Sequence, residues 1–135
     1  MATIEEVSEF FHKVFPGTGV NVEQVGNRSA RLRKKLSKAD LRPGGTVSGP
    51  ALMELADAIV YVAIQGEIGI VPMAVTTNFN MNFLRMPAAE CDVLVECRLI
   101  KLGKRLAVGE VYLFSEGSEE PVAHAIVTYA LPTPA

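Results

Sequence analysis

Ser48 opens a run, Ser-Gly-Pro-Ala-Leu-Met-Glu-Leu-Ala-Asp, that ends on Asp57. An acid inside an otherwise apolar helix costs free energy unless it is paired, hydrated or used. Asp57 is therefore the first candidate for chemistry, as a nucleophile or as a general base on water. The Gly-rich turn before it supplies a second element. Backbone N–H groups at a helix start carry partial positive charge and can polarise a carbonyl or hold an oxyanion. Pro50 has no N–H, so the Gly49 amide is the donor expected there, and Gly49 lets a ligand approach closely. Ordinary capping, with Ser48 or Gly49 as the cap and Pro50 in the first turn, explains the same residues and is compatible with that role. Gly49 and Asp57 lie roughly 12 Å apart along one helix, too far to act on one carbon. If both serve one site, two subunits must contribute.

The elements that would carry these groups are legible in the spacing. Apolar residues at Ile4, Val7, Phe10, Phe11 and Val14 predict a helix over 4–14, ended by Pro16-Gly17. Residues 20–25 and 29–36 read as strands of a hairpin turned at Gly26-Asn27. A loop over 41–49 leads into a long helix from Pro50 to about Gln65, stopped by Gly66. On that helix Glu54, Asp57, Tyr61 and Gln65 share an arc of roughly 80°. Leu52, Ala56, Ile59 and Ala63 take the other side, flanked by Leu55 and Val62. The polar stripe would face solvent, a subunit interface or a site.

Four β-rich segments follow, over 71–85, 91–102, 105–115 and 122–131. Turns at Pro87-Ala88-Ala89, Leu102-Gly103-Lys104 and Glu116-Gly117-Ser118 separate them and predict an antiparallel meander. An antiparallel sheet needs its apolar face covered, and one apolar helix is available. The expected architecture is α+β, a curved antiparallel sheet around the long helix, in one domain of 135 residues. The Pro-Thr-Pro tail reads as a frayed end.

Composition narrows the function. A net charge of −2 gives no overall pull toward nucleic acid or an anionic membrane. The stretch 51–64 is broken by Glu54 and Asp57 and is too short for a membrane span. Met1 to Glu6 is polar and acidic, unlike a secretory leader. Cys91 and Cys97 stand roughly 20 Å apart on an extended strand, too far to bridge, and free thiols fit a reducing cytoplasm. His12 and His124 have no partner at metal-ligand spacing, so no metal and no cofactor is expected. Arg28, Arg31, Arg33, Lys34 and Lys35 form a basic patch that would suit phosphates or simply meet solvent. Asn78, Asn80 and Asn82 repeat on one strand face, with Val75, Phe79, Met81 and Phe83 on the other.

The pattern Gly45-Thr-Val-Ser-Gly-Pro…Asp57 with Asn82-Phe-Leu-Arg85 resembles the PaaI-like acyl-CoA thioesterases of the hotdog superfamily, over about residues 41–131. The resemblance implies a sheet wrapped on a central helix and a homodimer, often paired into a homotetramer. It also implies an active site at the dimer interface, which meets the distance condition above. The family motif, His-Gly-Gly before a helix bearing Asp or Glu, puts the catalytic acid on Asp57 and the carbonyl-polarising amide on Gly49. It puts a polar helix residue on Tyr61 and a strand Ser or Thr on Thr76 or Thr77. In place of the motif His stands Ser48, in place of its second Gly Pro50, and in place of an upstream Asn or Gln Arg42. Ser48 can donate a hydrogen bond but cannot carry a proton at neutral pH as His can. Arg42 could orient the carbonyl, pair with Asp57 or grip a phosphate. The implied activity is hydrolysis of an acyl-CoA to an acid and CoA. The alternative is an acyl-CoA binding protein with little or no turnover.

Overall fold

The computed structural model describes residues 1–88 and 90–132. Ala89 in the expected turn at 87–89, and most of the Pro-Thr-Pro tail, lie outside the described residues. The chain order is α1 (Ile4–Val14), β1 (Val20–Gly26), β2 (Ser29–Lys34), a short 3-10 turn (Lys38–Asp40), α2 (Gly49–Ile68), β3 (Val75–Phe83), β4 (Val93–Leu102), β5 (Leu106–Ser115) and β6 (Ala123–Ala130). Helix α1 starts on a capping box: the Thr3 side chain accepts from the Glu6 N–H while the Glu6 carboxylate accepts from the Thr3 N–H. Val7 and Phe11 are its buried anchors.

All pairings among the described strands are antiparallel, in the order β1-β2-β4-β5-β6-β3. This corrects the expected four-strand meander. Strands β4, β5 and β6 follow one another, but β3 pairs with β6 at the far edge instead of with β4. The physical reason is the connection. The β4–β5 link is a tight turn, whereas residues 84–92 between β3 and β4 are long enough to carry the chain across the sheet.

Alternate residues of β4, β5 and β6 face inward onto α2, and Val95, Val111, Leu113, Ala125 and Val127 are fully buried there. Leu52, Leu55, Ala56, Ile59, Val62 and Ala63 are buried on the helix side, the face expected from their spacing. Close approach is built in at Gly109. A Cβ there would stand 2.7 and 3.1 Å from the two methyls of Val60, itself fully buried. Gly109→Ala is accordingly expected to lower stability by about 1–3 kcal/mol through overpacking. Urea titration would show this as an earlier midpoint at unchanged slope. A variant as stable as the parent would mean the helix can shift off the sheet.

Two local readings also change. Gln65 is buried and not part of an exposed stripe, because residues 69–72 fold over it: its side chain accepts from the Val71 N–H at 2.7 Å and donates to the Val71 carbonyl at 3.3 Å. Strand β3 carries a bulge between Thr76 and Asn78, where Thr76 pairs with Tyr129 and Asn78 with Thr128. The bulge moves Thr76 onto the face of Phe79 and Met81, and puts Val75, opposite Ala130, off it. The Asn row stays on the outer face, exposed, with Asn80 donating to Asn78 at 2.8 Å. Both cysteines are free. Burial pushes the Cys97 thiol up to about 12, which leaves it inert at neutral pH.

Candidate active site

Asp57 sits half-buried in mid-α2, and what surrounds it comes from the two strands on that side of the sheet. The Thr76 hydroxyl donates to Asp57 Oδ1 at 2.6 Å. The Tyr129 hydroxyl, on the neighbouring strand, lies 3.1 Å from the same Oδ1 and 3.0 Å from the Asp57 carbonyl. The β3 bulge creates this arrangement, since it brings Thr76 level with Tyr129 and directs both at the helix. Burial, and then the Asp57 charge, push the Tyr129 phenol well above its ordinary range, so it stays protonated and donating. Both side-chain donors converge on Oδ1, and Oδ2 has none among the described residues. One oxygen is thus used for orientation and the other is left to take a proton or attack a carbon.

The carboxylate opens into a cleft of about 750 Å³. Its walls come from α1, α2 and the starts of β1 and β3, with Phe11, Phe15, Leu55, Ala58 and Tyr61 making it largely apolar. A line of aromatic contacts marks its length: Tyr129 to Tyr61 at 6.0 Å, Tyr61 to Phe15 at 6.5 Å, Phe15 to Phe11 at 5.2 Å. Tyr61 contributes its ring to the wall, while its hydroxyl donates to the Pro72 carbonyl at 3.1 Å. Burial raises its pKa as well. Lys34 and Asp40, paired at 3.5 Å, stand at the far end.

The remaining expected residues lie elsewhere in the chain. Ser48 caps α2, its side chain accepting from the Ala51 N–H at 3.2 Å. Its own N–H donates to the Asp40 carbonyl at 2.8 Å. Gly49 packs 3.6 Å from the Phe83 ring, measured from where its Cβ would be, and its N–H has no acceptor among the described residues. Arg42 is exposed on the loop and makes no ion pair with Asp57. None of Arg42, Ser48 and Gly49 lines the cleft that holds Asp57, Tyr61 and Thr76. Thr77 is the bulged residue; its hydroxyl reaches only the Thr128 carbonyl at 3.5 Å, away from Asp57. Tyr129 escaped the sequence reading. An inward tyrosine in an alternating strand reads as core, and the one signal was its hydroxyl, which needs a partner once buried.

The basic patch is largely neutralised: Arg31 and Arg33 face Glu23, Arg33 also meets Asp92 and Glu116, and Lys34 meets Asp40. His12 bonds the Val20 carbonyl at 2.8 Å and His124 faces Glu110 at 3.0 Å. Among the described residues no three His, Cys, Asp or Glu side chains gather as a metal site, and no helix is long and apolar enough to cross a membrane.

A curved antiparallel sheet around one long helix is the architecture of the hotdog proteins. The family model described as Thioesterase superfamily matches residues 44–122, and the chain belongs to that family. A solved structure from Silicibacter sp. TM1040, named there a "putative thioesterase", is 40% identical, covers 95% of this chain and 90% of its own, and superposes with a TM-score of 0.87. Thioesterase superfamily member 2 of zebra fish shares the fold at 24% identity, with 98% and 100% of the two chains covered and a TM-score of 0.87. So does a point mutant of the phenylacetic acid degradation protein PaaI from Thermus thermophilus, at 24% identity, 90% and 98% coverage and a TM-score of 0.75. Family membership supports thioester hydrolysis as the reaction class.

Proposed function

We propose that this chain is an acyl-CoA thioesterase whose active site joins Asp57 of one subunit to the Gly49 amide of another. The observation that carries the reading is the oriented carboxylate: Asp57 lines an apolar cleft and is held on Oδ1 by Thr76 and Tyr129, with no donor to Oδ2 among the described residues. Asp57 attacks the thioester carbonyl or takes a proton from the water that does. A Gly49 N–H without an acceptor among the described residues, at the start of a 20-residue helix, suits the developing oxyanion. The two groups are separated along α2 by roughly 12 Å, so a second copy supplies the amide. Strand β3 offers a seam for that copy: it is an edge strand, and Val75, Phe83 and Leu84 are exposed along it. Ser48 and Arg42 then enter the site with the partner's turn, as a hydroxyl donor and a guanidinium for the substrate.

The aromatic cleft suits an apolar or aryl acyl group running from Asp57 past Tyr61 toward Phe15 and Phe11. Phe15→Ala is expected to move the preferred acyl group toward bulkier members of a panel. Ranking kcat/KM across chain lengths and aryl groups checks this, and an unchanged ranking would detach the cleft from the acyl group. Release of thiol from a broad acyl-CoA panel tests the reading as a whole; a parent protein inert toward every member would overturn it. A second reading, an acyl-CoA binder with little turnover, is favoured by Ser48, whose oxygen is occupied as a helix cap where the family motif has a proton-carrying His. Saturable binding without hydrolysis would select it. The two free cysteines lead us to place the protein in the cytoplasm.

A further inference from the structure

Glu54 shares the polar arc of α2 with Asp57 and Tyr61 and lines the same cleft, yet it has no role in the reaction proposed above. At about 100° per residue, the α2 positions in the cleft wall fan out from Asp57 in the order Tyr61, Glu54, Ala58, Ala51 and Leu55. Asp57 and Leu55 stand roughly 160° apart around the helix, so the cleft crosses α2 instead of running along it. Glu54 and Tyr61 are separated by roughly 10 Å along the axis, with Ala58 between them. They frame a gap floored by a single methyl group. An acyl group running from Asp57 past Tyr61 toward Phe15 and Phe11 crosses this gap. Ala58 is one turn from Glu54, so the part of the acyl group above it lies roughly 6–8 Å from the Glu54 carboxylate.

The charge balance of the cleft is one-sided. Among the described residues, the charged side chains that line it are Lys34, Asp40, Glu54 and Asp57. Lys34 is matched by Asp40 at 3.5 Å, and its ammonium also donates to the Thr18 carbonyl. Asp57 is held by Thr76 and Tyr129 and faces the thioester. Glu54 has no ion-pair partner among the described residues, and no unmatched cation shares the wall with it.

We propose that Glu54 sets the charge of the acyl group that this cleft accepts, admitting an uncharged one and turning away one that bears a second carboxylate. A carboxylate carried across the gap meets the Glu54 charge over an apolar floor, where repulsion is less screened than in open water. Leaving water for an aromatic cleft also disfavours any carboxylate, with or without Glu54. The parent's preference for an uncharged acyl group therefore has two sources, and only the change in that preference on altering Glu54 isolates its part. This inference rests on the acyl-CoA reading, and its test separates the two.

The experiment measures kcat/KM on matched pairs of acyl-CoAs, one uncharged and one with a terminal carboxylate, beginning with hexanoyl-CoA and adipoyl-CoA. The readout is the ratio within a pair, which cancels any general effect of a substitution on the site. The parent is expected to favour the hexanoyl group. Glu54→Gln, of nearly the same size, is expected to narrow the ratio about fivefold, and Glu54→Lys about 25-fold, chiefly through KM for the adipoyl group. Added salt should narrow the parent's ratio, as it does for repulsion between partly solvated charges. Glu119→Gln removes an exposed acid from the β5–β6 turn, away from the cleft, and is expected to leave the ratio where it was. A ratio that is the same in parent, Gln and Lys proteins would overturn the proposal. Equal narrowing by Glu119→Gln would overturn it too, since net charge would then be the cause. An active parent whose ratio ignores Glu54 removes this proposal alone, whereas a parent inert toward every acyl-CoA removes the hydrolase reading and this proposal with it.

Discussion

Asp57→Asn is expected to lower kcat/KM for thioester hydrolysis by about 10²–10⁴, the range for loss of a positioned base or nucleophile. The loss should come with little change in fold. Asparagine keeps an oxygen where Oδ1 accepts from Thr76 at 2.6 Å and from Tyr129 at 3.1 Å, so the hydrogen bonds that orient the side chain survive. What disappears is the negative charge and the basicity of Oδ2. Thiol release measured alongside thermal melting separates the two effects. Equal rates for variant and parent would remove Asp57 from the chemistry. Single-turnover hydrolysis in ¹⁸O-labelled water then bears on its role: label entering the Asp57 carboxylate marks an acyl-enzyme anhydride opened by water at the Asp57 carbonyl, a result that a base acting on water cannot give.

Gly49→Pro removes one hydrogen-bond donor and little else. The first turn of a helix tolerates proline, and Ser48, at φ −72° and ψ 151°, already has the backbone that a following proline requires. A Cβ at position 49 meets the Phe83 ring at 3.6 Å, an ordinary contact. The expected result is a fall in kcat of about 10²–10³ with a normal melting curve, the cost of losing one oxyanion donor. Gly49→Ala keeps the N–H and should lose much less. If proline and alanine behave alike, the amide is not the donor and the glycine serves only as close-packed backbone.

How far the residues announced this arrangement depended on the range of the interactions involved. Helix α1 over Ile4–Val14 was legible because its apolar period and the Pro16-Gly17 stop are local. The apolar face of α2 was legible for the same reason. The position of β3 was not, because its pairing with β6 spans the β4–β5–β6 meander and no tight turn encodes it. Thr76 and Thr77 could not be told apart until the bulge fixed which of them faces the helix. Gln65 looked like the end of a polar stripe, and only the fold of residues 69–72 over it supplied the backbone partners that let it be buried. The acid was visible at once, whereas Tyr129, 72 positions downstream of it, was hidden in an alternating strand.

The central claim is that one site takes its acid from one subunit and its amide from another. Remixing two inactive variants tests it most directly. Asp57→Asn and Gly49→Pro chains, each inactive as homodimers, are unfolded together, refolded and assayed. In a mixed dimer one site collects both lesions and the other collects Asp57 from one chain and Gly49 from its partner, both intact. Random pairing should then restore about one quarter of the parent's activity, since half the dimers are mixed and each has one sound site of two. Mixed dimers that form and stay inactive would contradict a shared site.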